Sequence, residues 1–317
     1  MSRPVGNRFL LQAAYAPSTR KKYLSAVQLF IDFCLDLGED PISPSDFDDL
    51  LNDFIHHLYL TEAGKSRAVD TVYGILMLRP ELKGHLPVSM LACRGWNKLC
   101  PVLSYPPLTW DLTVLIALKI SLRSWSAAIG TLLAFECFLR IGELCGLKRE
   151  DVADAKDARL GVEFRGMALR LRKTKTGTNQ WVTVENEQVM HLLRSLVANT
   201  KPHHSLFPVS TSTYRRLFKS ACSDLKLSST YVPHSLRHGG ATRQHLLGRS
   251  MEDILLRGRW ASTKSARRYI QSGRAVLLSM DVPPPLAILG PILSRNIITT
   301  FSLTQQHFVK GGRDIAL

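Results

Sequence analysis

The stretch PHSLRHGGATR, residues 233–243, packs two histidines, two arginines and a Gly-Gly pair into three turns' worth of chain. Read as a helix, it sets His234 and Arg237 three apart on one face, with His238 four from His234. A helix that only filled a core has no use for that much cationic nitrogen. Gly239–Gly240 costs about 1 kcal/mol per residue relative to alanine in a helix interior, so the pair predicts a close approach by another element. A zinc pair is the competing reading of His234 and His238. It is the weaker one, because Ser235 and not Glu follows His234 and no third ligand is evident.

At 317 residues the chain is one large domain or two ordinary ones. A hydrophobic share of 45% supplies a packed core and excludes a disordered chain. Lys and Arg number 41 against 26 Asp and Glu, a formal net charge of +15. That balance points to a polyanion, most simply nucleic acid, or to a soluble protein with a basic surface, and charge alone leaves both open. The six cysteines form no CxxC and mostly sit in apolar runs, so they read as reduced core residues of an intracellular protein. The first ten residues carry arginines but no apolar h-region, and no stretch reaches the roughly 18 apolar residues of a membrane span. The expected location is the nucleus in a eukaryotic host, otherwise the cytoplasm and nucleoid, with no membrane partner.

The first third reads as helices. Ser18 or Thr19 can cap one that carries Val27, Phe30, Ile31, Cys34 and Leu35 on a face and ends at Gly38. A second carries Phe47, Leu50, Leu51, Phe54, Ile55 and Leu58, and a third covers 68–78 and stops at Pro80. The proline-rich, aperiodic segment CPVLSYPPLT (100–109) predicts a linker. Beyond it, 111–147 is mostly helical. VEF (162–164), ALRLRK (168–173) and QWVTV (180–184) predict short strands, the last two joined by a turn at Gly177. Helix returns from Thr211 and is expected to stop at the triple proline 283–285. The predicted layout is therefore a helical domain over 1–104, a mostly helical domain with one small sheet over 105–285, and an unassigned tail over 286–317.

Four segments of the second domain carry unusual chemistry. FLRIGELCGL (138–147) places Arg140 in an apolar helix with Glu143 three residues on. A buried arginine is costly unless paired or used, so an ion pair that only holds the helix competes with a functional role. RKTKTGT (172–178) offers Lys173 and Lys175 at a hairpin tip, where a solvated charge run is the plain alternative. The opening stretch supplies His234 and Arg237. RGRWASTKSARRYIQSGR (257–274) adds Trp260 and Tyr269 in a basic context. No carboxylate cluster for a metal accompanies them. Two forked guanidiniums match the non-bridging oxygens of a phosphodiester. Tyrosine can serve as nucleophile if a cationic site or nearby base helps ionise it, and lysine can protonate a departing 5′ oxygen.

In this order the residues resemble the tyrosine recombinases, the family of phage integrases and Cre-like recombinases, over residues 15 to 280. FLRIGEL is similar to the family's first-arginine box, HSLRHGGATR to its H-x-x-R box, and GRW places Trp260 where the family has His or Trp, nine residues before Tyr269. A tryptophan there donates one hydrogen bond and packs, but shuttles no proton. The resemblance implies a mainly α fold: an N-terminal helical core-binding domain and a mixed α/β catalytic domain with a three-stranded antiparallel sheet. It implies Arg140, Lys175, His234, Arg237, Trp260 and Tyr269 as catalytic residues, with Glu143 orienting Arg140 and Lys173 as the alternative lysine.

The implied reaction is site-specific cleavage and rejoining of double-stranded DNA through a 3′-phosphotyrosine link, with no cofactor, metal or ATP, by a homo-tetramer on paired sites. Arg20, Lys21, Lys22, Lys173, Arg243 and Arg259 are the candidate DNA contacts, and the acidic run Asp46, Asp48, Asp49 and Asp53 is expected to face away from DNA. Gly239 and Gly240 are expected to allow close packing behind the site, with His238 structural or on a phosphate. Exchange of residues 286–317 between neighbouring copies is open. Two alternatives stand beside this reading: a catalytically inactive recombinase-derived DNA-binding protein, and a type IB topoisomerase-like relaxase.

Overall fold

The computed structural model describes residues 13–101, 104–154, 166–174 and 177–310, with side chains to residue 304. The chain divides into two compact units, Met1–Leu103 and Ser104–Leu317.

The first unit packs four helices, α1 (Pro17–Leu37), α2 (Pro44–Leu60), α3 (Lys65–Leu78) and α4 (Pro87–Leu99), around Val27, Phe30, Leu51, Phe54, Val72 and Trp96. α1 begins one residue before the expected caps: Ala16 is its N-cap, Pro17 follows, and neither Ser18 nor Thr19 caps it. Its other end matches expectation, with Gly38 left-handed at φ 71. Asp48 departs from the expected solvent-facing acidic run. It is buried, and its carboxylate accepts from the backbone N–H groups of Val88 at 2.8 Å and Ser89 at 2.9 Å. The orphan donors at the start of α4 are thereby satisfied from α2.

The second unit is built on α5 (Trp110–Ser121) and α6 (Trp125–Glu136), almost wholly apolar helices buried on all sides. They carry the short α7 (Ile141–Cys145), the sheet, and then α8 (Glu187–Ala198), α9 (Thr211–Asp224), α10 (Pro233–Leu246), α11 (Met251–Gly258), α12 (Thr263–Arg267) and α13 (Ser272–Met280). The antiparallel sheet has the order β1–β2–β3, with β1 Val152–Asp154, β2 Met167–Lys173 and β3 Thr178–Val184. β2 and β3 match the two C-terminal strand expectations. The first strand lies at 152–154, and the expected strand at 162–164 falls outside the described residues. Met167, Leu169 and Leu171 bury on one face, and Arg170 and Arg172 on the other face bond Asp151 at 3.0 and 2.7 Å.

The triple proline does not end in loop. Pro283 is the N-cap of α14 (Pro284–Arg295), because proline suits the first helical turn, where no N–H partner is needed. α15 (Ile297–Lys310) follows, and its Ile297 and Phe301 are fully buried in the core of this unit. Phe301 packs against Trp125 with the rings tilted and their centres 5.4 Å apart, Ser294 donates to Asp111 at 2.5 Å, and Ile297 N–H donates to Gln188 at 2.9 Å. Over residues 286–304 the tail is thus packed on its own chain. Among the described residues no single helix is long and apolar enough to cross a membrane.

Cys34, Cys137 and Cys222 are buried as expected, whereas Cys100 is exposed and Cys93 and Cys145 are partly so; all six are free thiols.

Candidate active site

Three links and one helix start converge in the second unit. The first link follows α6. Phe138 is left-handed at φ 49, an uncommon conformation for a bulky residue. It turns its carbonyl inward, where Arg237 Nη1 donates to it and Arg259 Nη2 donates at 3.1 Å. The break also corrects the placement of Arg140. This residue is not inside a helix but in extended backbone as the N-cap of α7 (φ −76, ψ 150), with a side chain 21% exposed. Its backbone N–H donates to Glu143 Oε2 at 2.9 Å and its Nη1 to Glu143 Oε1 at 2.7 Å. The ion pair that competed with a functional role is therefore present, on a guanidinium that also reaches the surface.

Glu143 is buried and serves two cations, because Arg259 Nη2 also donates to its Oε2 at 2.9 Å. Burial alone would raise this carboxyl, but Arg259 and then the bonds from Arg140 outweigh it and hold it below the usual carboxylate range.

Arg259 corrects the expectation of a DNA contact. It caps α11 in a left-handed conformation (φ 55), and its guanidinium turns inward to the carbonyls of Cys137, Arg257 and Phe138 and to Glu143. Unlike Arg237, it is ion-paired directly with the buried Glu143, so its positive charge is balanced inside the protein rather than offered to a DNA phosphate.

α10 begins at Pro233, and Ser235 Oγ accepts from Val232 N–H at 3.2 Å, so the helix start presents His234 and Arg237 toward the links. The Gly-Gly pair does what its cost implied. A Cβ at Gly239 would stand 2.1 Å from Leu108 O, and one at Gly240 would stand 2.1 Å from Phe135 O. Arg237 is fully buried; its Nη2 donates to Gly258 O at 2.6 Å. Burial, then the charges of Arg140 and Arg259, push its guanidinium down to about 9. Three guanidiniums share one buried carboxylate here, which leaves the site strongly favourable to an anion.

The last two links bring in the aromatics. The Trp260 ring lies flush on Gly258, where a Cβ would meet it at 2.0 Å. The guanidinium of Arg237 is 4.6 Å from the centre of the Trp260 ring and 5.2 Å from that of Tyr269. Tyr269 is packed between Trp260 at 4.7 Å and His238 at 4.6 Å, with His234 edge-on at 5.5 Å. Among the described residues, Arg237 Nε, Arg259 Nε and Trp260 Nε1 are buried donors with no acceptor in the protein, as is Ser272 Oγ, a rare condition in folded proteins.

The structure thus brings together Arg140, Glu143, His234, Arg237, Trp260 and Tyr269. Lys175 lies outside the described residues. Lys173 is exposed at the end of β2 and lines, with Arg140, Glu143 and Arg172, a hollow of about 470 Å³. Arg243 sits in the last turn of α10 with its guanidinium 5.6 Å from the Trp110 ring centre. Arg20, Lys21 and Lys22 are exposed near the start of α1, in the first unit. His238 is buried, which favours the structural side of its reading. Among the described residues no group of three or more His, Cys, Asp or Glu is placed to hold a metal ion. Periodicity passed over Tyr105, whose ring meets His234 at 5.6 Å, and Thr242, whose hydroxyl donates to Tyr269 O and accepts from the N–H of Gln271, and Gln271 itself. Thr242 lies within the HSLRHGGATR box and Gln271 two residues past Tyr269, and that placement was their one available signal.

The family model described as the phage integrase family matches residues 113–275. Among solved structures, a lambda integrase dimer bound to a COC′ core site is similar at TM-score 0.58 and 16% identity, over 84% of this chain and 92% of that one. The Tn1549 transposon integrase in complex with circular intermediate DNA is similar at TM-score 0.51 and 16% identity, over 75% of this chain and 85% of that one. At such identities the likeness concerns the fold. No curated protein matches the chain.

Proposed function

Given that the chain belongs to the phage integrase family, a tyrosine recombinase by fold and motif, we propose that it cuts and rejoins duplex DNA at specific sites through a covalent link between Tyr269 and a DNA 3′ phosphate. The observation that carries this reading is the seating of the Tyr269 ring 5.2 Å from the fully buried guanidinium of Arg237.

Tyr269 Oη attacks the phosphorus and the bond to the 5′ oxygen breaks. The phenol proton leaves; His234, edge-on to the ring, is the neighbouring group able to take it. The departing 5′ oxygen takes a proton from Lys175, or from Lys173 on the described rim. Arg140 and Arg237 neutralise the non-bridging oxygens, and Trp260 Nε1 offers them a further donor. Because one phosphodiester is exchanged for another, the 5′-hydroxyl of a second strand can reverse the step without ATP. Arg140 stays oriented because both oxygens of Glu143 hold it. Duplex DNA is the proposed partner, bound by several copies, finally a tetramer on paired sites. A DNA-bound dimer of the similar lambda integrase supports assembly on DNA.

The test incubates the protein with a pool of nicked, randomised duplexes in EDTA beside Tyr269→Phe. The reading expects an SDS-resistant protein–DNA adduct with wild type only. Adduct with both proteins, or with neither while DNA is still bound, contradicts it. Relaxation of plasmid without site preference would favour the topoisomerase alternative.

A further inference from the structure

We propose that Gln271 is the positioning residue that sets Tyr269 for attack, by tying His238, which packs against the phenol ring, to the segment at Ser104–Tyr105. This rests on the assignment of Tyr269 as the nucleophile.

Gln271 follows Tyr269 by two residues, and both ends of that step are clamped from α10. The buried Thr242 Oγ1 donates to Tyr269 O at 3.1 Å and accepts from Gln271 N–H at 3.1 Å. The side chain of Gln271 then reaches back across the site. Its Oε1 accepts from Arg274 Nη1 at 3.1 Å, which fixes which end of the amide is oxygen, since a guanidinium only donates. The Nε2 end therefore faces His238 Nδ1 and Ser104 Oγ, both at 2.9 Å, with the Tyr105 carbonyl at 3.2 Å. Ser104 is held in turn: its carbonyl accepts from Arg274 at 2.6 Å and its hydroxyl donates to Arg268 O at 3.3 Å.

An amide donor facing Nδ1 requires that nitrogen to be the acceptor, so His238 is neutral with its proton on Nε2. Its surroundings agree. The ring is buried, and His234, Arg237 and Arg274 face it, with Tyr105 and Tyr269 as its ring neighbours. Burial first, then His234, push it down to about 4. A neutral, hydrogen-bonded imidazole fixes one wall of the tyrosine slot, and Trp260 is the other wall. A nucleophile needs its attack geometry held, and a misplacement on the order of 1 Å costs about a hundredfold in rate.

Two substitutions separate positioning from general support. Gln271→Ala removes the tie. Gln271→Glu replaces the donor by a carboxylate, which can be met at Nδ1 while the ring keeps its bond to the Tyr269 backbone only when His238 carries both protons, and which favours that second proton. Adduct formation on the nicked, randomised duplex pool is timed across pH 5–9 (about the range of a shifted His) for wild type and both variants. Binding to the same pool is followed by fluorescence anisotropy.

The proposal expects Gln271→Ala to bind DNA as wild type does and to form adduct about tenfold to a hundredfold more slowly. It expects the rate of Gln271→Glu, relative to wild type, to be near normal at low pH and to fall as pH rises through the pKa of His238 in that variant, which the added carboxylate raises above the lowered wild-type value. Wild-type rates for Gln271→Ala overturn it, as does a loss of adduct matched by an equal loss of binding, or a Gln271→Glu ratio flat with pH. Wild type that forms no adduct at all instead overturns the assignment of Tyr269, and this proposal with it.

Discussion

At position 259 an arginine occupies the left-handed backbone that glycine would take at no steric cost. What holds it there is its side chain, which shares the buried carboxylate of Glu143 with Arg140. Phe138, also left-handed, adds its carbonyl to the same group. Strain at two residues is thus compensated by one ionic knot, whose keystone is Glu143. Glu143→Gln should lower stability by about 3 kcal/mol, because it leaves buried guanidiniums without their counter-charge. The pH dependence follows in sign. The carboxyl is held below its ordinary range in the fold, so its stabilisation is complete above that range and is lost as pH falls through the lowered value. Urea midpoints measured down an acid series should decline for wild type and show a shallower decline for Glu143→Gln. Parallel curves would mean the knot carries no such charge. The arginine itself was legible in the basic run 257–274, but its direction was not, since a charged side chain reads as solvated until a buried partner is known.

At the scale of elements, α10 is set against α6 and the segment leading into α5 by a missing pair of side chains. A Cβ at Gly239 or Gly240 would meet main-chain carbonyls, which cannot swing aside as a flexible side chain could. Gly239→Ala should therefore cost about 1–3 kcal/mol through overpacking. In α4, Gly95→Ala meets nothing within 4 Å and should add about 0.5–1 kcal/mol by helix propensity. Melting temperatures of the two variants should move in opposite directions, and equal losses would refute the packing account. That close approach was readable from the propensity cost of the glycines alone. So were the C-cap at Gly38 and the β2–β3 hairpin, where alternation and turn chemistry agree. Other elements carried weaker signals. α4 buries chiefly Ser89 and Trp96, too few for a period to show. β1 is three residues long and half-buried throughout, so it has no alternation to read. α14 starts on prolines that equally mark a stop, and α15 is anchored through Ile297 and Phe301, one helical turn apart.

For the whole molecule, the formal charge of +15 and the excess of guanidinium at the site argue for a polyanion gathered largely by electrostatics. DNA affinity should then fall steeply with salt, with a slope of log K against log salt of about −5 or steeper. A slope near zero in a titration from low to high salt would separate the charge from DNA binding. The order of the motif boxes was legible without coordinates because each box is local. Their convergence was not, since Arg140, Arg237, Trp260 and Tyr269 meet only through the break after α6 and the glycine-permitted seating of α10. The most direct measurement is mass spectrometry of the DNA-linked peptide from a trapped, protease-digested adduct, with the DNA trimmed to one nucleotide. The account predicts a peptide containing Tyr269 joined to a 3′ phosphate, and a free 5′-hydroxyl on the released strand. A linkage to any other residue, or to a 5′ phosphate, would contradict it.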